Sequence, residues 1–419
     1  MPPLFPSYDD EKIRFYYPDH LRLKLVQVIH RHGERTPVKP YLEHVIPSLW
    51  NLCHETKELQ SNILLFQEDK DNQDNFKGYE QFTYRRIDTY SSPSPGTCAF
   101  GQLTDIGRKS MSELGAHFRT LYVDKLKFLD EKLSNDKLLF LRSTDHARTF
   151  ESLQQLVIGG LYPSKFRSNS YVLNIHTRDL NKETLHQNSK CKRLMKLIKQ
   201  FEEASKLRYE SDLKYLTTQL KPIVKEVKLD SEPSLNQIFD TVTAAKANKI
   251  PIPKEFTEEI IDKIDEISTG EWFNGFYETL EMRRLAMGPF LADLRDIILS
   301  KVNNMPETED LKFAIYSGHD STMAPLIATF SAFDHRWPKF NSHLTLELFE
   351  SKEEKSLFSS AQDKHYVRVK YNDKILELPA CQNDDKHHPN DKSLCTLRAF
   401  LTLVDSHIPK DYIQECSDV

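Results

Sequence analysis

KLVQVIHRHGERTPV, Lys24 to Val38, begins as an apolar, β-branched run and ends in a knot of charge. Val26, Val28 and Ile29 read as a buried strand, because β-branched side chains pack well on a pleated surface. Arg31, His32 and Arg35 follow, and Thr36-Pro37 then turns the chain. Cations crowded at a strand end repel one another, and a bound anion removes that cost. Ligands of α/β sheets usually sit at such strand ends.

The chemistry this implies is phosphoryl transfer. Arginine offers a planar fork of donors that matches phosphate oxygens. A histidine between arginines can attack phosphorus through a ring nitrogen. Two later stretches repeat the grammar of strand, polar turn and helix. LLFLRSTDHARTFESLQQLV, Leu138 to Val157, has a strand over Leu138–Leu141 and a turn carrying Arg142, with Asp145 as a candidate N-cap. LKFAIYSGHDSTMAPLIATF, Leu311 to Phe330, has a strand over Phe313–Tyr316 and then His319-Asp320. In a mostly parallel sheet the three strand ends share one edge. Arg31, His32, Arg35, Arg142, His319 and Asp320 would then meet there.

These motifs resemble the histidine acid phosphatases, the second branch of the histidine phosphatase superfamily. Its signature RHGxRxP is complete here as Arg31, His32, Gly33, Arg35 and Pro37. The segment Gly101-Gln102-Leu103-Thr104 before a helix, the RST block at Arg142 and the pair His319-Asp320 extend the likeness. The resemblance implies a phosphomonoester hydrolase that forms a phosphohistidine on His32. It implies Arg31, Arg35, Arg142 and His319 as phosphate ligands and Asp320 as the proton donor, with no cofactor and no metal. Glu34 stands at a variable position of the signature and receives no catalytic role. A mutase-like phosphoryl transferase and a catalytically silent phosphate binder are the alternatives. In the mutase-like branch, however, the distal histidine is not followed by Asp.

The resemblance also implies the fold: α/β, a three-layer core with a mostly parallel mixed sheet flanked by helices, phosphoglycerate mutase-like, plus an inserted helical cap. Residues 22–175 and 301–419 form the expected core. Residues 40–100 are expected as an insertion over the site, built as loop, and 176–300 as the cap. The cap is rich in Lys and Glu at helical spacing, with breaks at Pro222, Pro233, Pro251 and Pro253. WFNGFYETLEMRRLAMGPFLADLRDIIL, Trp272 to Leu299, is expected as one long helix, with Arg283 and Arg284 in salt bridges. HLTLELFE and HYVRVKYN alternate apolar and polar residues and read as strands at an edge.

The chain has 419 residues, 39% hydrophobic and 28% charged, enough for two lobes around sizeable cores. A net charge of −5 argues against nucleic-acid partners. The expected partner is a small-molecule phosphomonoester. Neither a Walker-type loop nor a dinucleotide fingerprint is present. No stretch approaches a transmembrane helix in length. The first twenty residues lack the regions of a signal peptide, and no Asn-x-Ser/Thr acceptor occurs. The expectation is therefore an intracellular, cytoplasmic protein; the family resemblance offers mitochondria as the alternative. Six cysteines without a CxxC pair read as mostly reduced, with the pairing of Cys381, Cys395 and Cys416 left open because secreted members of the resembled family carry bridges near the C-terminus. His30-x-His32 finds no carboxylate or cysteine at metal spacing, and DDKHH, Asp384 to His388, reads as a solvated loop, so no metal is assigned to either. The substrate's body must meet the cap and the insertion. An apolar channel there would draw on Phe76, Tyr79, Phe82, Tyr84, Trp272, Phe273, Phe276 and Tyr277. That would suit lysophosphatidate or another monophosphate better than a polyphosphate.

Overall fold

A computed structural model describes residues 9–54, 58–68, 74–85, 96–168, 171–353 and 361–417. In chain order, α1 (Asp10–Tyr16) and β1 (Leu21–Arg31) precede a hairpin of β2 (Glu58–Glu68) and β3 (Asp74–Arg85). Then come α2 (Asp105–Phe118), β4 (Leu139–Ser143) and α3 (Ala147–Gln154). Five helices follow: α4 (Lys192–Arg208), α5 (Glu210–Gln219), α6 (Leu235–Ala247), α7 (Glu258–Glu278) and α8 (Leu280–Val302). The chain continues with β5 (Phe313–Gly318), α9 (Asp320–Thr329), β6 (His343–Ser351), β7 (His365–Tyr371) and β8 (Lys374–Leu376). It ends with β9 (His387–His388), β10 (Asp391–Thr396), α10 (Leu397–Ser406) and α11 (Tyr412–Glu415).

The main sheet runs β4-β5-β1-β6-β7-β10-β9, with β8 beside β7. The pairs β4–β5 and β5–β1 are parallel, and Leu141, Ile315 and Val28 lie in register. From β1 outward, the pairs through β6, β7, β10 and β9 are antiparallel. The fold is thus an α/β core with a mixed sheet flanked by helices. Its three parallel strands end on one edge.

Pleating divides the core. Val26 and Val28 of β1 pack with Leu141, Ile315 and the α2–α3 layer. Leu25 and Ile29 face Phe290 and Leu294 of α8 and Met323 of α9. Fully burying one such side chain contributes roughly 1.5–3 kcal/mol. Gln27 is buried between them and satisfied: Nε2 donates to the Leu294 carbonyl and Oε1 accepts from Tyr316. A separate cluster joins α5, α6 and α7 to Leu42, Ile46 and Trp50.

Several expectations change. Within residues 40–100 a β-hairpin stands where loop was expected, with Leu64 paired to Tyr79 and Asn62 to Gln81. Of the polar run from Gln67 to Lys77, residues 69–73 lie outside the described residues, as do 91–95 of the stretch Ser91 to Gly96. β6 is no edge strand but lies directly against β1. Its alternation hides this because even the polar positions Thr345 and Glu347 are buried. The long helix breaks at Thr279, which is extended, and Arg283 donates to the carbonyls of Phe276 and Tyr277 at the end of α7. Arg284 pairs with Glu415 as expected. Thr104 caps α2 by accepting from the Gly107 N–H, whereas α3 starts from His146, not Asp145. His387 and His388 are buried in a short strand rather than a solvated loop, and His387 Nδ1 donates to the Cys381 carbonyl.

The cysteines are also corrected. All six pair, as Cys53–Cys98, Cys191–Cys416 and Cys381–Cys395. The first two pairs are 45 and 225 residues apart, so no local spacing announces them. Among the described residues no helix is long and apolar enough to cross a membrane.

Candidate active site

The site opens where β1 ends. Gly33 and Gly107 are pressed together there: a Cβ on Gly33 would stand 2.6 Å from the Gly107 carbonyl oxygen, and one on Gly107 would stand 2.1 Å from that of Glu34. Only glycines permit this approach of the signature loop to the start of α2. Backbone bonds pin the loop further, from His32 N–H to Gly318 and from Thr104 N–H to Glu34.

His32 is buried, and its Nδ1 lies 2.9 Å from the Gly33 carbonyl. A carbonyl only accepts, so Nδ1 carries the proton and Nε2 keeps its lone pair. Burial, with the cations Arg31, Arg148 and Arg35 nearby, holds the imidazole far below its usual pKa, in the neutral form that can attack. Arg31 Nη2 lies 2.7 Å from Asp320 Oδ2, and its guanidinium stacks 4.3 Å from the Phe340 ring centroid. Arg35 Nη2 lies 2.8 Å from Asp240 Oδ1, a carboxylate on α6 that also accepts from the Val38 N–H.

His319 and Asp320 stand at the junction of β5 and α9. His319 Nε2 contacts Thr144 Oγ1 at 3.0 Å and its Nδ1 lies 3.3 Å from Arg148 Nη2. An arginine only donates, so Nδ1 accepts and Nε2–H donates to Thr144. Burial and the Arg148 cation keep His319 neutral. Asp320 Oδ2 accepts from Trp337 Nε1 at 3.0 Å as well as from Arg31, and Oδ1 accepts from the Ser321 N–H. Burial works to raise its pKa, but Arg31, Arg35 and these two donors outweigh it and hold the carboxylate ionised.

Arg31, His32, Arg35, His319 and Asp320 are thus together, but Arg142 is not with them. It lies within β4, level with Tyr316, and its side chain enters the layer of α8. There it donates to Asp293 at 2.8 Å, to Thr184 and to Glu183, and is buried. With two carboxylates already around it, it has no reason to seek phosphate. The arginine in the pocket is Arg148, six residues on in the first turn of α3. Burial, with Arg35 beside it, lowers its pKa to about 10, still cationic. The same block, RSTDHAR, contained that signal in its second arginine. Asp240, Trp337 and Phe340 had no sequence signal.

Glu34 is buried, accepts from Ser110 Oγ at 2.5 Å, and is raised in pKa by burial. It braces the loop from behind. His30 is buried beneath the site, with Nδ1 donating to the Arg31 carbonyl. Neither it nor His387 and His388 belongs to a potential metal-ligand group among the described residues.

A site of cations around a neutral histidine, on the parallel edge of such a sheet, defines a phosphate-handling enzyme. The sequence model of the histidine phosphatase superfamily (branch 2) matches residues 22–372, and the chain belongs to that family. It is a histidine acid phosphatase, a phosphomonoester hydrolase. A probable acid phosphatase of Schizosaccharomyces pombe is 31% identical, covering 96% of both chains. The human lysophosphatidic acid phosphatase type 6 is 28% identical, over 95% of this chain and 86% of its own. In structure, the Hafnia alvei phytase aligns with a TM-score of 0.60 over 96% of this chain and 100% of its own, at 13% identity. That last likeness concerns the fold alone.

Proposed function

We propose that the chain hydrolyses monophosphates carrying an apolar or uncharged body, through a phosphohistidine on His32. The observation that carries the reading is the His32 ring, with Nδ1 donating to Gly33 and Nε2 free among Arg31, Arg35 and Arg148. The Nε2 lone pair attacks phosphorus while the bond to the leaving oxygen breaks. Arg31, Arg35 and Arg148 hold the phosphoryl oxygens and the charge that builds on them. Asp320 gives its proton to the leaving oxygen. It then takes one from a water whose oxygen attacks phosphorus, which breaks the N–P bond and releases inorganic phosphate. In the free site Asp320 and Asp240 occupy the forks of Arg31 and Arg35. A substrate dianion competes for those forks and so favours the protonated Asp320 that catalysis requires. His319, whose Nδ1 accepts from Arg148, offers the phosphoryl group a proton only once it is itself protonated.

The leaving-group side supports the substrate class. Trp337 joins Asp320 to the cap aromatics, with ring centroids 4.6 Å from Phe273, 5.2 Å from Phe239 and 5.7 Å from Trp272. Phe273 and Phe276 are core, whereas Trp272, Tyr277, Phe82 and Tyr84 are exposed. The side chains of Phe76 and Tyr79 lie outside the described residues. Asp240 beside Arg35 and Asp265 bonded to the Trp337 N–H repel further phosphates. The relatives named lysophosphatidic acid phosphatase type 6 point the same way.

Comparing kcat/KM for lysophosphatidate, a sugar phosphate and phytate, in buffer with EDTA, tests the proposal. Lysophosphatidate should lead and chelation should cost nothing. A preference for phytate would overturn the substrate class.

The cytoplasmic expectation rested on the missing signal-peptide regions and glycosylation acceptors. Three disulfides favour an oxidising compartment instead. Thiol labelling of the protein from its cell should find all six cysteines protected; free thiols on all six would restore the cytoplasm.

A further inference from the structure

Beside the phosphoryl pocket stand three imidazoles, of His146, His186 and His319. One ring nitrogen of each lies within 4.8 Å of the others, the one group of three potential ligands found among the described residues. Their ring centroids are 4.5, 5.1 and 5.4 Å apart. Imidazoles sharing one ion at about 2.1 Å from nitrogen, with near-tetrahedral angles, put their centroids roughly 5 Å apart. Nitrogens sharing one tetrahedral ion at that length lie roughly 3.4 Å apart, so rotation of these rings, His186 and His319 now lying 21° from parallel, closes the set from within 4.8 Å onto one ion.

A further observation points to a ligand. His146 Nδ1 and His186 Nε2 are buried atoms with no hydrogen-bond partner. Buried polar atoms are normally satisfied, so each orphan calls for an explanation. Arg148 opposes a cation here, but the carboxylates of Glu183 and Asp320 act on His186, and that of Asp145 on His146, with the opposite sign. His319 ligates through Nδ1 by giving up its contact with Arg148; three imidazoles then suit a borderline ion such as zinc and leave one coordination position open.

We propose that His146, His186 and His319 bind one divalent transition-metal ion of the zinc class, and that this ion switches the phosphatase off. Binding takes His319 from the phosphoryl pocket. It also draws the phosphate group toward the ion and away from His32. The enzyme needs no metal to work and is inhibited by one. The inhibitory half rests on the phosphatase reading given above, whereas the binding half does not.

The test uses the full chain, stripped with EDTA and desalted, then titrated with Co²⁺. One cobalt per chain should bind, with the visible absorption of a low-coordinate nitrogen-ligated ion, and Zn²⁺ should displace it. His146→Gln and His186→Gln should each weaken cobalt binding by at least ~10-fold, a loss seen even for residues that only support a ligand. Circular dichroism checks that both variants are folded. Zn²⁺ should inhibit p-nitrophenyl phosphate hydrolysis by the wild type, with potency falling in His186→Gln by the same factor. The absence of a saturable cobalt band, or wild-type cobalt affinity in both variants, would overturn the site. Saturating zinc with undiminished turnover would overturn the switch. Lack of turnover in the metal-free protein would instead count against the phosphatase reading.

Discussion

Asp320 Oδ2 lies 2.7 Å from Arg31 Nη2 and accepts from Trp337 Nε1 at 3.0 Å, so the proposed proton donor is held as an anion until substrate arrives. Asp320→Asn should therefore lower kcat on alkyl phosphates by roughly 10²–10⁴-fold. p-Nitrophenyl phosphate, whose leaving group needs little protonation, should lose much less. Trp337→Phe removes one donor to the carboxylate and raises its pKa. The alkaline limb of kcat, set by loss of the Asp320 proton in the complex, should then move to higher pH. Equal losses on both substrates, or an alkaline limb unmoved by Trp337→Phe, would take Asp320 out of the role.

Arg148 and Arg142 should separate cleanly. Arg148→Gln removes a donor from the pocket and should cut kcat/KM about 100-fold or more, as loss of one charge-stabilising donor does. It should also weaken vanadate inhibition, with little change in melting temperature. Arg142→Gln leaves buried Glu183 without its cation, while Asp293 keeps Arg178, and should cost about 3 kcal/mol of stability. Molecules that remain folded should turn over nearly normally. Steady-state kinetics beside thermal melts decide this; the reverse pattern would return Arg142 to the pocket.

Gly107→Ala drives a methyl group to 2.1 Å from the Glu34 carbonyl oxygen. The signature loop must shift, and with it His32. We expect destabilisation of about 1–3 kcal/mol from overpacking, and a fall in kcat larger than any rise in KM. Gly78, where a Cβ meets nothing within 4 Å, is the control position. Its φ is positive, so the strain there is backbone strain in the hairpin, far from the chemistry in sequence. Gly78→Ala should leave kcat intact.

His30 sets an acid limit. Burial, with His343 nearby, lowers its pKa to about 4, against about 6.5 in the unfolded chain. The folded pKa is the lower one, so between these values the unfolded state binds more protons and stability falls as pH falls. The loss begins near pH 6.5 and levels off below about 4, reaching on the order of 3 kcal/mol. His30→Gln should flatten the pH dependence of the melting temperature across that window. An unchanged slope would assign the acid sensitivity to other groups.

Much of this was legible in sequence. Arg31, His32, Arg35, His319 and Asp320 each follow an apolar strand, and two parallel pairings bring those strand ends together. Arg142 shows the limit. It and Arg148 stand in one block, and only the pleat of β4 against Tyr316 turns the first into the α8 layer. Asp240 and Trp337 reach the site through packing of α6 and α7, which no local pattern encodes. The hairpin of β2 and β3 escaped because neither strand alternates cleanly, and the disulfides because their partners meet only in the folded chain.

The central claim is the covalent intermediate on His32, whose free Nε2 faces the three arginines. Mixing the enzyme with ³²P-labelled p-nitrophenyl phosphate and quenching in alkali, which preserves phosphohistidine, tests it most directly. The account predicts label on the peptide carrying His32, stable in base and lost in acid, and none in His32→Ala, which should remain folded and inactive. Label on another residue, or normal turnover by His32→Ala, would contradict it.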